Sequence, residues 1–279
     1  MAQSVPVSRN TARLESPASR YSVKAVDKAL CILEILGKNS AELSLVELTR
    51  HLNIEKSTLH RLLATLDGRG FVRKDPASLR YSLGIKMLEL GTAVTARSAL
   101  GRAAAPLLDR LAIRYRQTVN LAVLDGLEIL YVAKRESPEP MRLTVEVGRR
   151  LPAHSTALGK AMLAFRPALE VRRLLSRKRK LQQYTPRTIT SPRRLLYHLE
   201  EVRRAGFAVD REELTLGMRC LAAPVLDFTG CAIAAVSITA PAALLSEDRV
   251  ATLGPRLMAE VTEVSRALGG PGDPRTMPG

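Results

Sequence analysis

Along residues 44–83 the apolar positions recur first at helical and then at strand spacing. Leu45, Leu48 and Leu52 share one face of a short helix, with Ser44 as its N-cap and Glu47 at the third helical position, the S-x-x-E capping box. His51, Leu52 and Asn53 make the turn, Asn being a residue that tolerates the left-handed conformation of a sharp helix end. Leu59, Leu62, Leu63 and Leu66 then fall at i, i+3, i+4 and i+7, which predicts a second helix over about Glu55–Leu66. Its opposite face carries Ser57, Arg61 and Ala64, with Thr58, His60 and Thr65 at the margins. Gly68 and Gly70 stop it. Phe71–Lys74 and Arg80–Leu83 read as two strands around a turn at Asp75–Ser78. Two short helices, a sharp turn and a hairpin make a winged helix-turn-helix. The second helix begins with short polar side chains, which fit a DNA major groove. Ser57, Thr58, His60 and Arg61 are expected to face base edges, Arg61 being suited to bidentate guanine recognition. Arg73, Lys74 and Arg80 of the wing are expected at phosphates, holding the helix in register.

Upstream, residues 22–37 read as a helix with Ala25, Leu30, Ile32, Leu33, Ile35 and Leu36 as apolar positions, Cys31 as a packing residue and Gly37 at its end. Downstream, much of residues 83–116 reads as helix, broken or relaxed near Gly91 and Gly101. Ile85, Leu88, Leu100, Leu107, Leu108 and Leu111 there are apolar positions available to a second subunit. From Val119 the period changes to two. Residues 120–124 and 128–133 form a hairpin around Asp125 and Gly126, and Met141–Val147 a third strand. Helices are predicted at 157–166 and 167–180, and again at Ser191–Ala205, where Ser191 is the N-cap and Pro192 the first helical residue. Tyr184–Thr190 between them reads as loop. Strands follow at Phe207–Asp210, Met218–Leu226 and Cys231–Thr239, then a last helix at Ser246–Leu268. The chain is thus α+β with a largely antiparallel sheet in its second domain. The boundaries read as a disordered tail over 1–20, the winged domain over 21–83, a linker helix over 84–100, the second domain over 101–269 and a disordered tail over 270–279.

Length and composition narrow the function. The 279 residues suit two domains, and 46% hydrophobic content supports packed cores. No stretch approaches the roughly 20 apolar residues of a membrane span, and the N-terminus has no signal-peptide core. Cys31, Cys220 and Cys231 are an odd number without metal-like spacing, and the four histidines form no ligand cluster. We therefore expect a cytoplasmic protein with no disulfide framework, no metal, no cofactor and no membrane partner. The net charge of +16 suggests a polyanionic partner, but residues 21–91 carry only 11 basic against 8 acidic side chains. Downstream of residue 91 the count is 29 against 18. Part of that excess is the run RRLLSRKRK at 172–180, which reads as an exposed helix face.

In the second domain, Ser237 and Thr239 alternate on one strand and so present both hydroxyls to one face. Backbone N–H groups near Ala157, at a predicted helix start, suit a carboxylate. Cys220 offers a small polarisable wall. A different arrangement of the same residues is enzymatic, with Cys220 as nucleophile, His154 as base and Glu213 orienting it. No catalytic spacing or motif accompanies these residue types.

The blocks KALCILEIL (28–36), LSLVELTRHLNIEKSTLHRLLATL (43–66), GFVRKD (70–75), YSLGIKMLELG (81–91), GRRLPAHSTALGKAMLA (148–164), TIT (188–190), GFAVDREELTLGMRCLAAPV (206–225) and AAVSITAP (234–241) carry a resemblance. In this order, across residues 22–269, the chain resembles the IclR family of bacterial transcriptional regulators. The resemblance implies a winged helix-turn-helix joined by a helical linker to a GAF-like effector-binding domain with an antiparallel sheet. It also implies a homodimer or tetramer on a double-stranded DNA operator, and a small-molecule effector, a carboxylic acid of organic or aromatic kind. The effector pocket is expected on the sheet of the C-terminal domain, closed by the segment around TALGK. Mapped block by block, its lining is Ala157, Leu158, Asp210, Cys220, Ser237 and Thr239, with Leu143 and Leu151 as apolar walls. Ala157-Leu158 replaces a smaller pair found in some members, so the pocket is expected to be narrowed or reshaped there.

Overall fold

The computed structural model describes residues 23–39, 41–97, 99–138 and 146–274, with backbone alone for 92–97. Residues up to Arg97 form one compact unit and those from 98 onward a second. The tail expected over 1–20 lies outside the described residues, as does most of the strand expected at Met141–Val147, Leu143 included.

The first unit contains α1 (Lys24–Lys38), α2 (Leu45–Leu52), α3 (Lys56–Gly68), β1 (Val72–Lys74), β2 (Tyr81–Leu83) and α4 (Ile85–Arg97). The capping box at α2 forms in both directions. The Glu47 N–H donates to Ser44 Oγ at 3.3 Å, and the Ser44 N–H donates to Glu47 Oε2 at 2.7 Å. Asn53 closes α2 at φ 49°, the left-handed turn its side chain tolerates. Leu48, Leu59 and Leu63 meet Ile32 and Leu36 of α1 in a core completed by Val72 and Tyr81. Leu43 pairs with Tyr81, which gives the wing a third short edge. Two expectations for α1 fail: Ala25 and Leu30 are exposed, because only the Ile32 and Leu36 turn faces α2 and α3.

The predicted interruptions at Gly91 and Gly101 are also corrected. α4 runs through Gly91, and α5 (Ala99–Tyr115) runs through Gly101. A helical glycine costs about 1 kcal/mol against alanine, which the rest of a helix can absorb. Leu107, Leu108 and Leu111 of α5 are consumed by the core of the second unit and are not available to another subunit, whereas Ile85 and Leu88 of α4 are exposed.

In the second unit β3 (Thr118–Asp125), β4 (Glu128–Arg135), β5 (Arg150–Pro152), β6 (Ala208–Arg211), β7 (Met218–Leu226) and β8 (Ala232–Pro241) form one antiparallel sheet. The strand order is β5-β4-β3-β8-β7-β6. Helices α5 and α9 (Glu247–Ala267) cover one face. Helices α6 (Ala157–Ala164), α7 (Ala168–Ser176) and α8 (Pro192–Ala205) belong to the core on the other. Strand alternation sorts the residues. Val119, Leu121, Leu221, Ala223, Val236 and Ile238 point toward α5 and α9. The residues between them, among them Asn120, Cys220, Ser237 and Thr239, therefore point toward α6. The end of the chain does not fray immediately after α9. The Gly270 N–H donates to Ser265 O at 2.7 Å, and Pro274 is buried.

Candidate functional site

The outer surface of α3 has the expected make-up. Ser57, His60, Arg61 and Ala64 are exposed, Thr58 is half-buried, and Leu59 and Leu63 fix the inner face. Glu55, just ahead of α3, was not anticipated as part of this surface. Its carboxylate accepts from Ser57 Oγ at 2.6 Å and from Thr58 Oγ1 at 3.4 Å, so both hydroxyls already have an acceptor. Lys56, also exposed, adds a cation beside them. In the wing Arg73 is exposed and Lys74 lies over the Tyr81 ring, 5.7 Å from its centroid. Arg80 does not stand free beside them. One of its guanidinium nitrogens reaches Glu42 O at 2.7 Å and Glu47 Oε2 at 3.2 Å, which ties the wing to the capping box of α2. The pair is part-exposed and so contributes little to stability; its value is in placing the wing.

The second site is built on the α6 face of the sheet. The register places Asp210 opposite Cys220, and Cys220 opposite Thr239, in one row across β6, β7 and β8. Ser237 lies in the next row, opposite Asn120 of β3 and Ala222 of β7. Helix α6 starts above these rows. Thr156 caps it by accepting the Gly159 N–H at 3.1 Å. Gly159 is required there, since a Cβ would lie 2.3 Å from Ala153 backbone atoms. The N–H groups of Ala157 and Leu158, in the first turn, have no intrahelical acceptor.

A cavity of about 10 Å³ lies between α6 and the sheet. Ala157, Leu158, Asp210, Cys220 and Ser237 line it together with Tyr131, Thr156, Leu214, Thr215 and Met218. Five of the eight expected residues are thus brought to one point. Thr239 stands behind the wall, its Oγ1 3.2 Å from Cys220 Sγ. Leu151 is buried in the same core without reaching the cavity. A broader groove of about 490 Å³ opens near the end of α5 and the start of α9, lined by Tyr115, Ile238, Leu244 and Leu253 among others. None of its lining side chains is a buried polar group without a partner among the described residues, so it lacks the convergent chemistry of the smaller space.

The smaller cavity has that chemistry in excess. Among the described residues, Ser237 Oγ and Thr215 Oγ1 of its lining are buried without a hydrogen-bond partner, as are Asn120 Oδ1 and Glu213 Oε2 outside the lining. An unpaired buried polar group costs about 1–3 kcal/mol, so each invites an explanation. Beside them Lys160 is fully buried, its Nζ donating to Val209 O at 2.6 Å and to Glu213 Oε1. The Glu213 N–H in turn donates to Asp210 Oδ1 at 2.7 Å, and Thr188 Oγ1 donates to Glu213 O at 2.6 Å. Burial raises Asp210 to about 7, against the opposing pull of Lys160 and with the push of Glu213. Burial also drives the Cys220 and Tyr131 protons far more tightly onto their side chains. Lys160 escaped sequence reasoning because its partners lie about 50 positions away and a helical lysine reads as solvated. Tyr131 and Met218 were legible as alternate strand positions, but Thr215 sits ahead of β7 and outside the strand pattern.

The enzymatic arrangement is not assembled. Cys220 Sγ meets Thr239 Oγ1, while His154 Nε2 meets Gln182 O at 2.9 Å, and burial lowers the affinity of that imidazole for a second proton.

Comparison with known proteins identifies both domains. Residues 25–76 match the model of the IclR helix-turn-helix domain, and residues 92–266 that of the bacterial transcriptional regulator IclR C-terminal domain. The chain is similar to the HTH-type transcriptional regulator BhcR of Paracoccus denitrificans, 35% identical over 243 residues that cover 87% of this chain and 86% of BhcR. It is 38% identical over 227 residues to the HTH-type transcriptional regulator KdgR of Dickeya chrysanthemi, covering 81% of this chain and 74% of KdgR. Among solved structures, IclR of Thermotoga maritima aligns with a TM-score of 0.72 at 33% identity, covering 88% of this chain and 99% of that one.

Proposed function

This chain belongs to the IclR family of helix-turn-helix transcriptional regulators, and on that premise we propose that its effector is a small organic acid held between α6 and the sheet. One observation carries the proposal. Buried hydroxyls without partners, Ser237 foremost, converge on a cavity that also meets the start of α6. The unpaired N–H groups of Ala157 and Leu158 suit a carboxylate. Asp210 and Ser237 suit a hydroxyl or carbonyl elsewhere on the same molecule. Cys220 and the walls at Leu158, Leu214 and Met218 suit its carbon skeleton.

On the DNA side, Ser57, Thr58, His60 and Arg61 read base edges, and Arg73, Lys74 and Arg80 hold the backbone. Two copies act together on the operator in the cytoplasm, as a dimer or a pair of dimers. The exposed apolar residues Val23, Val26 and Leu30 of the first unit and Ile85 and Leu88 of α4 support association. The pocket binds without turnover: Cys220 meets Thr239 and His154 meets Gln182, so no nucleophile–base pair is assembled there.

The test is a thermal-shift series of the full-length protein with aliphatic and aromatic acids. An effector at about 100 times its dissociation constant stabilises by about 2.7 kcal/mol. The stabilisation should disappear in Asp210→Asn. An acid series that leaves the melting temperature of a folded, DNA-binding protein untouched would sink the acid reading.

A further inference from the structure

The basic run at 172–180 has no part in either site. It holds six cations in nine residues, Arg172, Arg173, Arg177, Lys178, Arg179 and Lys180, and no acid. All six are exposed. The fold presents them firmly. Val171 and Leu175 bury the inner face of α7, which leaves Arg172 and Arg173 outward. The chain leaves the helix at Arg177 and returns to the core at Leu181, whose N–H donates to Thr190 O at 2.8 Å. Residues 177–180 are therefore a short span fixed at both ends.

The strip carries no counter-charge of its own. Elsewhere in the second unit the cations are repeatedly matched: Arg166 with Glu170, Arg187 with Glu212, Arg211 and Arg219 with Glu247, Arg114 with Glu260. None of the six in the strip has an ion-pair partner among the described residues. Downstream of residue 91 the chain has 29 basic against 18 acidic side chains, and these nine residues supply more than half of that excess. Six like charges held close together repel one another unless a polyanion neutralises them.

We propose that this strip is a second DNA contact, in which the effector-binding domain grips the phosphate backbone of duplex DNA without reading its bases. The proposal rests on the DNA binding that the helix-turn-helix confers. The occupant follows from chemistry. Six guanidinium and ammonium groups match a row of phosphates. No aromatic side chain lies within the strip to stack an unpaired base, which disfavours single-stranded nucleic acid. The strip supplies long-range attraction and holding, while α3 supplies discrimination.

The test compares the full-length protein with a six-fold variant, R172Q/R173Q/R177Q/K178Q/R179Q/K180Q, on a mixed-sequence DNA duplex over a range of salt. Each phosphate neutralised contributes about 0.9 to the slope of log affinity against log salt. The variant is expected to bind about tenfold or more weakly at low salt, with a slope shallower by roughly 3–5. Arg61→Ala, a single cation, should change the slope by about 1 at most. If the six-fold variant melts early, R177Q/K178Q/R179Q/K180Q carries the same test within the span beyond α7, where all four side chains are exposed. Equal affinity and equal slope in a variant that melts like the parent would overturn the proposal. So would a loss seen only on vesicles of anionic phospholipid, with duplex binding unchanged. A parent protein that binds no duplex at all would instead overturn the DNA-binding reading, together with this one.

Discussion

The two faces of the six-stranded sheet come from the same strands and do opposite things. Toward α5 and α9 the inward residues are Val119, Leu121, Leu221, Val236 and Ile238, and every one is essentially closed to water. Toward α6 the alternate positions of those strands are Asn120, Cys220, Ser237 and Thr239, with Asp210 beside them on β6. The first face spends its burial on apolar area, which stabilises at about 25 cal/mol per Å². The second holds polar atoms in low dielectric without partners, which costs stability. Alternation with a period of two lets one strand serve both purposes, since a change on one face need not disturb the other. Helix α3 repeats the arrangement at a period of 3.6, with Leu59 and Leu63 inside and Ser57, His60 and Arg61 outside.

If the faces are separate, three substitutions should behave differently. Leu221→Ala opens a cavity in the packed face and is expected to lower unfolding free energy by about 2–5 kcal/mol, with effector affinity unchanged once the protein is folded. Urea titration beside ligand titration would show it; a loss of affinity without a loss of stability would break the separation. Asp210 gives the next effect. Its carboxyl rises from 3.8 to about 7 on folding, so between those values the folded chain keeps a proton that the unfolded chain has released. Its contribution to stability is therefore full at the acid end and is lost as pH rises toward 7, with a slope of at most about 1.4 kcal/mol per pH unit. Lys160, Glu213, Cys220 and Tyr131 face the same region. Subtracting the curve of Asp210→Asn from that of the parent isolates the Asp210 part, and a flat difference would contradict it. Ser237→Ala should be the mildest. It removes a buried hydroxyl that has no partner, so stability should stay within about 1 kcal/mol of the parent or rise, while effector binding weakens. Substantial destabilisation would mean that the hydroxyl serves packing.

The legible part of the structure is the part governed by short-range rules. The capping box at Ser44 and Glu47, the turn at Asn53, the α8 cap at Ser191 and the alternation along β3, β7 and β8 each depend on a few neighbouring residues, and each stands as the sequence implied. β5 was missed because three residues carry no period, and its pairing with β4 depends on Ile129 and Leu151 meeting across 22 positions. The Lys160 network and the Glu42, Glu47 and Arg80 joint were missed for the same reason: the partners are distant in sequence and their residue types ordinarily face water. Leu30 failed in the other direction, an apolar residue at a helical position that has no neighbouring element to cover it.

The small volume between α6 and the sheet has a consequence for when this regulator responds. A space of about 10 Å³ admits roughly one water. On the proposed function, an organic acid would enter only once walls such as Leu158, Leu214 or Met218 had swung aside. The affinity measured from outside is then the intrinsic affinity multiplied by the fraction of molecules standing open. On that reading the threshold concentration of the switch would be set by its apolar walls. Two chains with identical Asp210, Cys220 and Ser237 but a trimmed or thickened residue at 158 would sense the same compound at different abundance. A population could retune its response by changing that hydrocarbon and nothing else.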